Sequence, residues 1–343
     1  MVSQEARDLL KQLVSEGVSP WLSARGPEEF ETSVRPPVLG VDFHNALAPP
    51  GSALTLLQRT CDLLRPVFEA TEGAVGHVSV PVSPRWAHDA HSLRSAARAL
   101  HGQLARPNVL VRIPATPAGL KALADCLAEG IGVHASMVFS AERYAEVLDA
   151  YVDGLERSLA SGRSLGEALM VASFPVGVFD AEVESRLDGL GVGPGDEVRG
   201  AAGLAVARAM YRLREQRLSG GWWRVLRANG APQPRLLWTS GGTDVGALIG
   251  WNTALALSVD TLEEAARGPN LSGDTLLTRE REAKGALVAL ERLGIPLARV
   301  ADVLETAELG RLQHDWDVMT RSSGAAPAAP GSGHSSVPGK GQP

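Results

Sequence analysis

Lysine is scarce in this chain. Of 33 lysines and arginines, only Lys11, Lys121, Lys284 and Lys340 are lysines. None of them ends an apolar, strand-like run, so a buried amine tuned to lose its proton has no evident carrier. Cysteine is scarcer still. Cys61 and Cys126 are too few and too far apart for a disulfide framework or a metal knuckle, and both fall in helical patterns where a small buried residue is expected. An excess of positive charge is also missing. The net charge of −6 and pI near 5.8 argue against a polyanion-binding groove, and the arginines are spread along the chain. No apolar run is long enough to span a bilayer. The segment from Glu5 to Glu16 is a charged amphipathic helix with Leu9, Leu10, Leu13 and Val14 on one side, and it lacks the apolar core of a signal peptide. The expectation is a soluble, cytoplasmic protein with neither nucleic-acid nor membrane partners.

Short β-branched runs alternate with longer helical patterns, the signature of βα units and a parallel sheet. The expected strands are Gly17–Leu22, Pro37–Phe43, Gly76–Val82, Val109–Ile113, Gly132–Phe139, Ala168–Phe174, Arg235–Ser240 and Thr253–Ser258. Helical patterns between them cover Ala53–Ala70, Pro84–Leu104, Pro117–Glu129, Ala141–Ala160 and Val198–Leu218. Further helical segments follow at Leu262–Arg267, Arg279–Leu293 and Leu297–Met319. Strands each followed by a helix fit a single α/β fold, a (β/α)8 TIM barrel with extra N- and C-terminal helices. A doubly wound open sheet is the rival, but no glycine-rich phosphate loop supports it, and Gly241–Gly242 is too little to count as one. The expected organisation is an N-terminal helix over 1–17, a barrel over 18–321 and a disordered Gly/Ala/Ser/Pro tail over 322–343, whose His334 and Lys340 carry no functional reading.

The stretch from Asn108 to Thr116, reading NVLVRIPAT, resembles the strand on which transaldolases carry their Schiff-base lysine, in the pattern (I/V)-K-(I/L)-(P/A)-(A/S)-T. Other segments match that family in order. Val78–Asp89 resembles VSVEVDPRLAHD, Ile131–Tyr144 resembles ISVNVTLIFSLERY, Val171–Phe174 resembles the start of VASFFVSR, and Leu287–Leu304 resembles the region around LGIDLDDVT. The likeness runs from about Val18 to Arg321 and implies an aldolase-type barrel opened at the C-terminal ends of its strands. It also implies an enzyme of carbohydrate metabolism, a transferase of the pentose phosphate pathway that works without a cofactor.

Residue by residue, the chemistry departs from that pattern. Ser23 stands where the family has a proton-transfer aspartate, and His44 where it has the substrate-orienting asparagine of TNP. Pro81 replaces the glutamate that handles water, and Arg112 replaces the lysine. His134 replaces the asparagine of NVT, Ser136 its threonine, and Ser173 is retained. Val178 stands for the phosphate-gripping arginine, and Asp244 for the basic residue of STGTKNP. A guanidinium is not deprotonated at usable pH. The scaffold pattern is orderly while the mouth is altered, which reads as a divergent member with a repurposed pocket.

Asp42 and His44 are two apart on one expected strand, as are His134 and Ser136, so each pair shares a face. With Arg112 and Ser173 they furnish an anion site. Arg112 offers a planar fork for a carboxylate or phosphate, His44 and His134 are the acid–base candidates, and Asp42, Ser136 and Ser173 join Arg112 in binding substrate. A buried Arg112–Asp42 ion pair is the structural alternative. Asp42, His44 and His134 also spell a facial set for Zn²⁺ or Fe²⁺, which a neighbouring guanidinium disfavours, so no metal is assigned. His77, His88, His91 and His101 read as solvated or edge-packed. Trp222-Trp223 reads as a floor cap or helix-packing pair, or as a partner surface if exposed. Arg208, Arg212, Arg214 and Arg217 read as a solvated helix face.

Three functions follow. The first is a transaldolase-like protein without Schiff-base activity that binds or converts a small polar or anionic metabolite. The second is a catalytically silent pseudoenzyme that binds a sugar or a partner protein. The third is a transaldolase in name only. Homo-oligomerisation is left open.

Overall fold

A computed structural model of the chain describes residues 2–193, 195–239, 242, 244–268 and 271–322. The expected tail beyond 322, including His334 and Lys340, lies outside the described residues. In chain order the first half comprises α1 (Gln4–Ser15), β1 (Val18–Leu22), α2 (Pro27–Ser33), β2 (Asn45–Leu47), α3 (Leu54–Ala70), β3 (Val78–Pro81), α4 (Ala90–Leu104), β4 (Val109–Pro114) and α5 (Pro117–Ala128). The second half comprises β5 (Val133–Ser136), α6 (Ala141–Ala160), β6 (Met170–Pro175), α7 (Val176–Gly189), α8 (Ala202–Leu218), α9 (Gly221–Ala228), β7 (Arg235–Thr239), β8 (Thr253–Leu257), α10 (Val259–Ala265), α11 (Glu280–Arg292) and α12 (Leu297–Ser322). The eight strands are parallel and close into a barrel, β8 pairing with β1 from Val18↔Thr253 to Leu22↔Leu257. The expected (β/α)8 barrel is therefore the observed fold. Among the described residues no helix is long and apolar enough to cross a membrane.

Alternation along each strand explains both cores. On β4, Val109, Val111 and Ile113 face the helix layer, while Leu110 points inward. The inward residues Trp21, Leu47, Leu110, Val171, Leu237 and Ala254 form an apolar plug that fills the barrel. Burying each of the larger side chains there contributes about 1.5–3 kcal/mol. Strand-to-helix turns are set by local caps. Thr116 accepts the Gly119 amide at 3.0 Å with Pro117 opening α5, Ser140 accepts the Arg143 amide at 3.0 Å, and Asp89 caps α4. A Cβ at Gly119 would stand 1.8 Å from the Pro114 carbonyl oxygen, so only glycine allows α5 to start this close to the end of β4.

The second strand is not where the apolar pattern put it. Pro37–Phe43 forms a loop in which Gly40 has φ +94°, the Asp42 amide donates back to the Pro37 carbonyl at 2.9 Å, and the Phe43 amide to that of Val38 at 2.8 Å. Those local bonds satisfy the backbone without a ladder. Pairing with β1 begins only at Trp21↔Asn45. The arginine-bearing α8 also departs from the expected solvated face. Arg208 and Arg214 are buried, and Arg214 donates to the carbonyls of Trp251 at 2.6 Å and Asn252 at 2.7 Å while lying over the Tyr211 ring. His77 is buried rather than edge-packed; its Nε2 bonds the Gly73 carbonyl at 2.9 Å, and its ring meets Phe68 edge-on. Trp223 packs against Tyr151, and half-exposed Trp222 donates from Nε1 to Glu156 on α6 at 2.6 Å.

Candidate active site

Above the plug, at the C-terminal ends of the strands, lies a cavity of about 320 Å³. Arg112, one inward step beyond Leu110 on β4, projects into it, and Nη2 donates to the carbonyl oxygen of Ala48. Burial pushes the guanidinium down to about 10, which leaves it charged at neutral pH. No ion pair joins Arg112 to a carboxylate among the described residues, so its charge is offset only by a carbonyl dipole.

His134 on β5 is the strand neighbour of Arg112 and is 1% exposed. Its Nδ1 meets the Ser79 hydroxyl of β3 at 2.7 Å, whereas Nε2 is buried without a protein partner. Burial holds the imidazole well below its usual pKa, and the adjacent Arg112 charge pushes it the same way. The ring is therefore neutral. Ser136 donates weakly to the Ile113 carbonyl at 3.4 Å, and Ser173 on β6 is buried at the cavity wall with Thr239 of β7. Ser23, Pro81 and Val178 also line the cavity.

Asp42 and His44 are not brought to this mouth. Both precede β2, hence lie toward the N-terminal ends of the strands, opposite the opening. Asp42 accepts from Nε of Arg7 on α1 at 2.9 Å, so its ion-pair partner is Arg7 and not Arg112. His44 is half-buried in the loop and gives its carbonyl to the Gly76 amide at 2.9 Å. With them on the far side, the three-residue metal set is not assembled, and among the described residues no group of three His, Cys, Asp or Glu is placed to hold a metal ion. The residues at the mouth end of β2 are Ala48 and Pro49. It is these two, not His44 and Asn45, that line the cavity.

The described lysines all lie away from the cavity. Lys11 on α1 pairs with Asp8 at 3.1 Å, Lys284 on α11 pairs with Glu280 at 2.6 Å, and Lys121 sits on the exposed side of α5. Asp244 borders a different and larger cleft of about 1050 Å³ between α8, α10 and α11, half of whose lining is alanine and glycine and which also holds Arg208, Arg279, Glu264 and Glu282. That cleft holds none of the inward strand residues.

The part of the site that the sequence did not announce comes from α12. This helix crosses the mouth and contributes Glu308, Arg311, Leu312, Asp315, Trp316 and Met319 to its walls. Arg311 is held by Glu308 at 2.7 Å and Asp315 at 2.8 Å. Arg85–Asp317 at 2.6 Å and Arg143–Glu305 at 3.1 Å tie the helix to the barrel.

Comparison with known proteins agrees with this architecture. A family model described as Transaldolase/Fructose-6-phosphate aldolase matches residues 51–323. A transaldolase of Acidothermus cellulolyticus is 38% identical over 290 residues, covering 81% of this chain and 77% of that protein. A transaldolase of Parafrankia sp. is 36% identical over 306 residues, covering 86% and 82%. One of Thermobifida fusca is 37% identical over 267 residues, covering 75% and 73%. With its closed parallel barrel and a match over most of its length, the chain belongs to the transaldolase family.

Proposed function

We propose that this member of the transaldolase family does not perform Schiff-base aldol transfer and uses its barrel mouth to bind a small anionic metabolite. The observation that carries the reading is Arg112: a charged guanidinium facing the cavity, with no carboxylate partner among the described residues, on the strand where the family has its lysine. A cation kept in such a place is poorly compensated until an anion arrives, and the planar fork matches a carboxylate or phosphate. Ser136 and Ser173 supply hydroxyls beside it. His134, neutral and with Nε2 unpartnered among the described residues, is a candidate for proton transfer or for a further hydrogen bond to the ligand. Ser23 and Pro81 carry no group that titrates near neutral pH, so an amine at position 112 would lack the acid–base partners that the family has at those two positions.

The transaldolase names of the relatives make aldol transfer the rival reading. Titration of the full chain with acetate and inorganic phosphate tests the proposal. Saturable binding of at least one anion, weakened at least tenfold in Arg112→Ala, is expected. Binding that survives the substitution intact removes the clamp.

A further inference from the structure

The lining of the mouth bears on which anion it takes. From the plug outward, the inward positions run Leu110, Arg112, Pro114 on β4 and Val171, Ser173, Pro175 on β6. On β2, Leu47 of the plug is followed two residues later by Pro49. Arg112 and Ser173 thus sit one inward step above the plug, Arg112 level with Pro81, and Pro114 and Pro175 stand one step further out beside the hydroxyls of Ser136 and Thr239. Six prolines line the cavity: Pro49, Pro50, Pro81, Pro84, Pro114 and Pro175. Proline has no N–H, so these positions offer a ligand rigid hydrocarbon and no backbone donor. Leu312, Trp316 and Met319 of α12 complete an apolar collar.

Charges at the rim are already matched. Arg311 is shared by Glu308 and Asp315, and Arg25 pairs with Glu29 at 2.9 Å and reaches Asp260 at 3.5 Å. A second anionic group at the outer end of a ligand would meet two carboxylates around one engaged cation. At about 320 Å³ the cavity is at the small end of ligand sites.

We infer that the mouth takes a monocarboxylate with a short apolar body, its carboxylate on Arg112 and its hydrocarbon against the proline collar, Trp316 and Met319. This rests on the anion-binding reading above and adds the ligand's chemical class. A sugar phosphate is disfavoured because the six prolines, Leu312, Trp316 and Met319 outnumber the hydroxyls of Ser136 and Thr239 along the wall its hydroxyl chain would meet.

Calorimetric titration of the full chain with 4-methylpentanoate, acetate, 4-methylpentanamide and fructose 6-phosphate tests the inference, in wild type, Arg112→Gln and Trp316→Ser. The expected result is that 4-methylpentanoate binds at least tenfold tighter than each of the other three. Arg112→Gln should abolish that advantage over the neutral amide, and Trp316→Ser should bring 4-methylpentanoate down to the level of acetate. If Trp316→Ser does not fold by circular dichroism, Met319→Gln carries the same expectation. Tighter, Arg112-dependent binding of fructose 6-phosphate overturns the monocarboxylate inference and leaves the anion reading standing. A tenfold preference retained in the Trp316→Ser or Met319→Gln variant overturns the collar. Absence of any Arg112-dependent binding overturns both.

Discussion

Arg112 and His134 are register partners on adjacent strands, and burial together with the guanidinium's charge constrains the imidazole's proton. The imidazole next to a fixed positive charge stays neutral, and the Ser79 hydroxyl occupies its Nδ1. Ser79→Ala would leave that nitrogen buried without a partner, so a loss of about 1–3 kcal/mol in unfolding free energy is expected, measured by urea titration. Asp42 makes the converse case. Because it braces α1 through Arg7, Asp42→Asn should lower the melting temperature while leaving anion affinity at the mouth unchanged. An affinity change of tenfold or more would return Asp42 to the site. Arg112→Lys is informative for a further reason. The burial that lowers the guanidinium to about 10 would depress an amine there too. That variant should therefore form a borohydride-trappable adduct with a ketose phosphate, yet turn over poorly, because Pro81 and Ser23 cannot move the proton.

Strands and helices were legible in the sequence to different degrees. β4 and β6 lie within one or two residues of their expected bounds, since short, mostly apolar runs flanked by helical patterns allow little else. β2 was misplaced because an apolar run over Pro37–Phe43 looks the same whether it pairs with a neighbour or, as here, turns on Gly40 and bonds to itself. That slip carried Asp42 and His44 into the expected site and left Ala48 and Pro49 out. The helical pattern of Leu297–Met319 was visible, but an amphipathic stripe says that a helix packs, not on what. Its place across the mouth depends on close contact. Gly51 has φ +76°, and a Cβ there would lie 2.9 Å from that of Met319. Gly51→Val should cost about 1–3 kcal/mol from backbone strain and overlap, and loosen ligand binding by displacing α12. Wild-type affinity in a folded Gly51→Val protein would detach the helix from the site.

Across the molecule, the barrel scaffold was readable because buried parallel strands and cap residues repeat unit after unit, whereas the site depends on which inward position of each strand reaches the opening. Acid sensitivity is a whole-molecule consequence of the same burial. His77 is held down to about 4, mainly by burial, while the unfolded chain takes its proton near 6.5. Between those values the unfolded state binds more protons, so stability falls as pH drops through that window, by up to about 3 kcal/mol for this residue. His134 acts in the same direction. Urea unfolding at pH 7 and pH 4.5 should reveal the loss, and His77→Gln should reduce it. The central claim is that position 112 clamps an anion and forms no imine. It is tested most directly by the intact mass of the wild-type chain after borohydride reduction with fructose 6-phosphate. An unchanged mass is predicted; a covalent ketose adduct would contradict it.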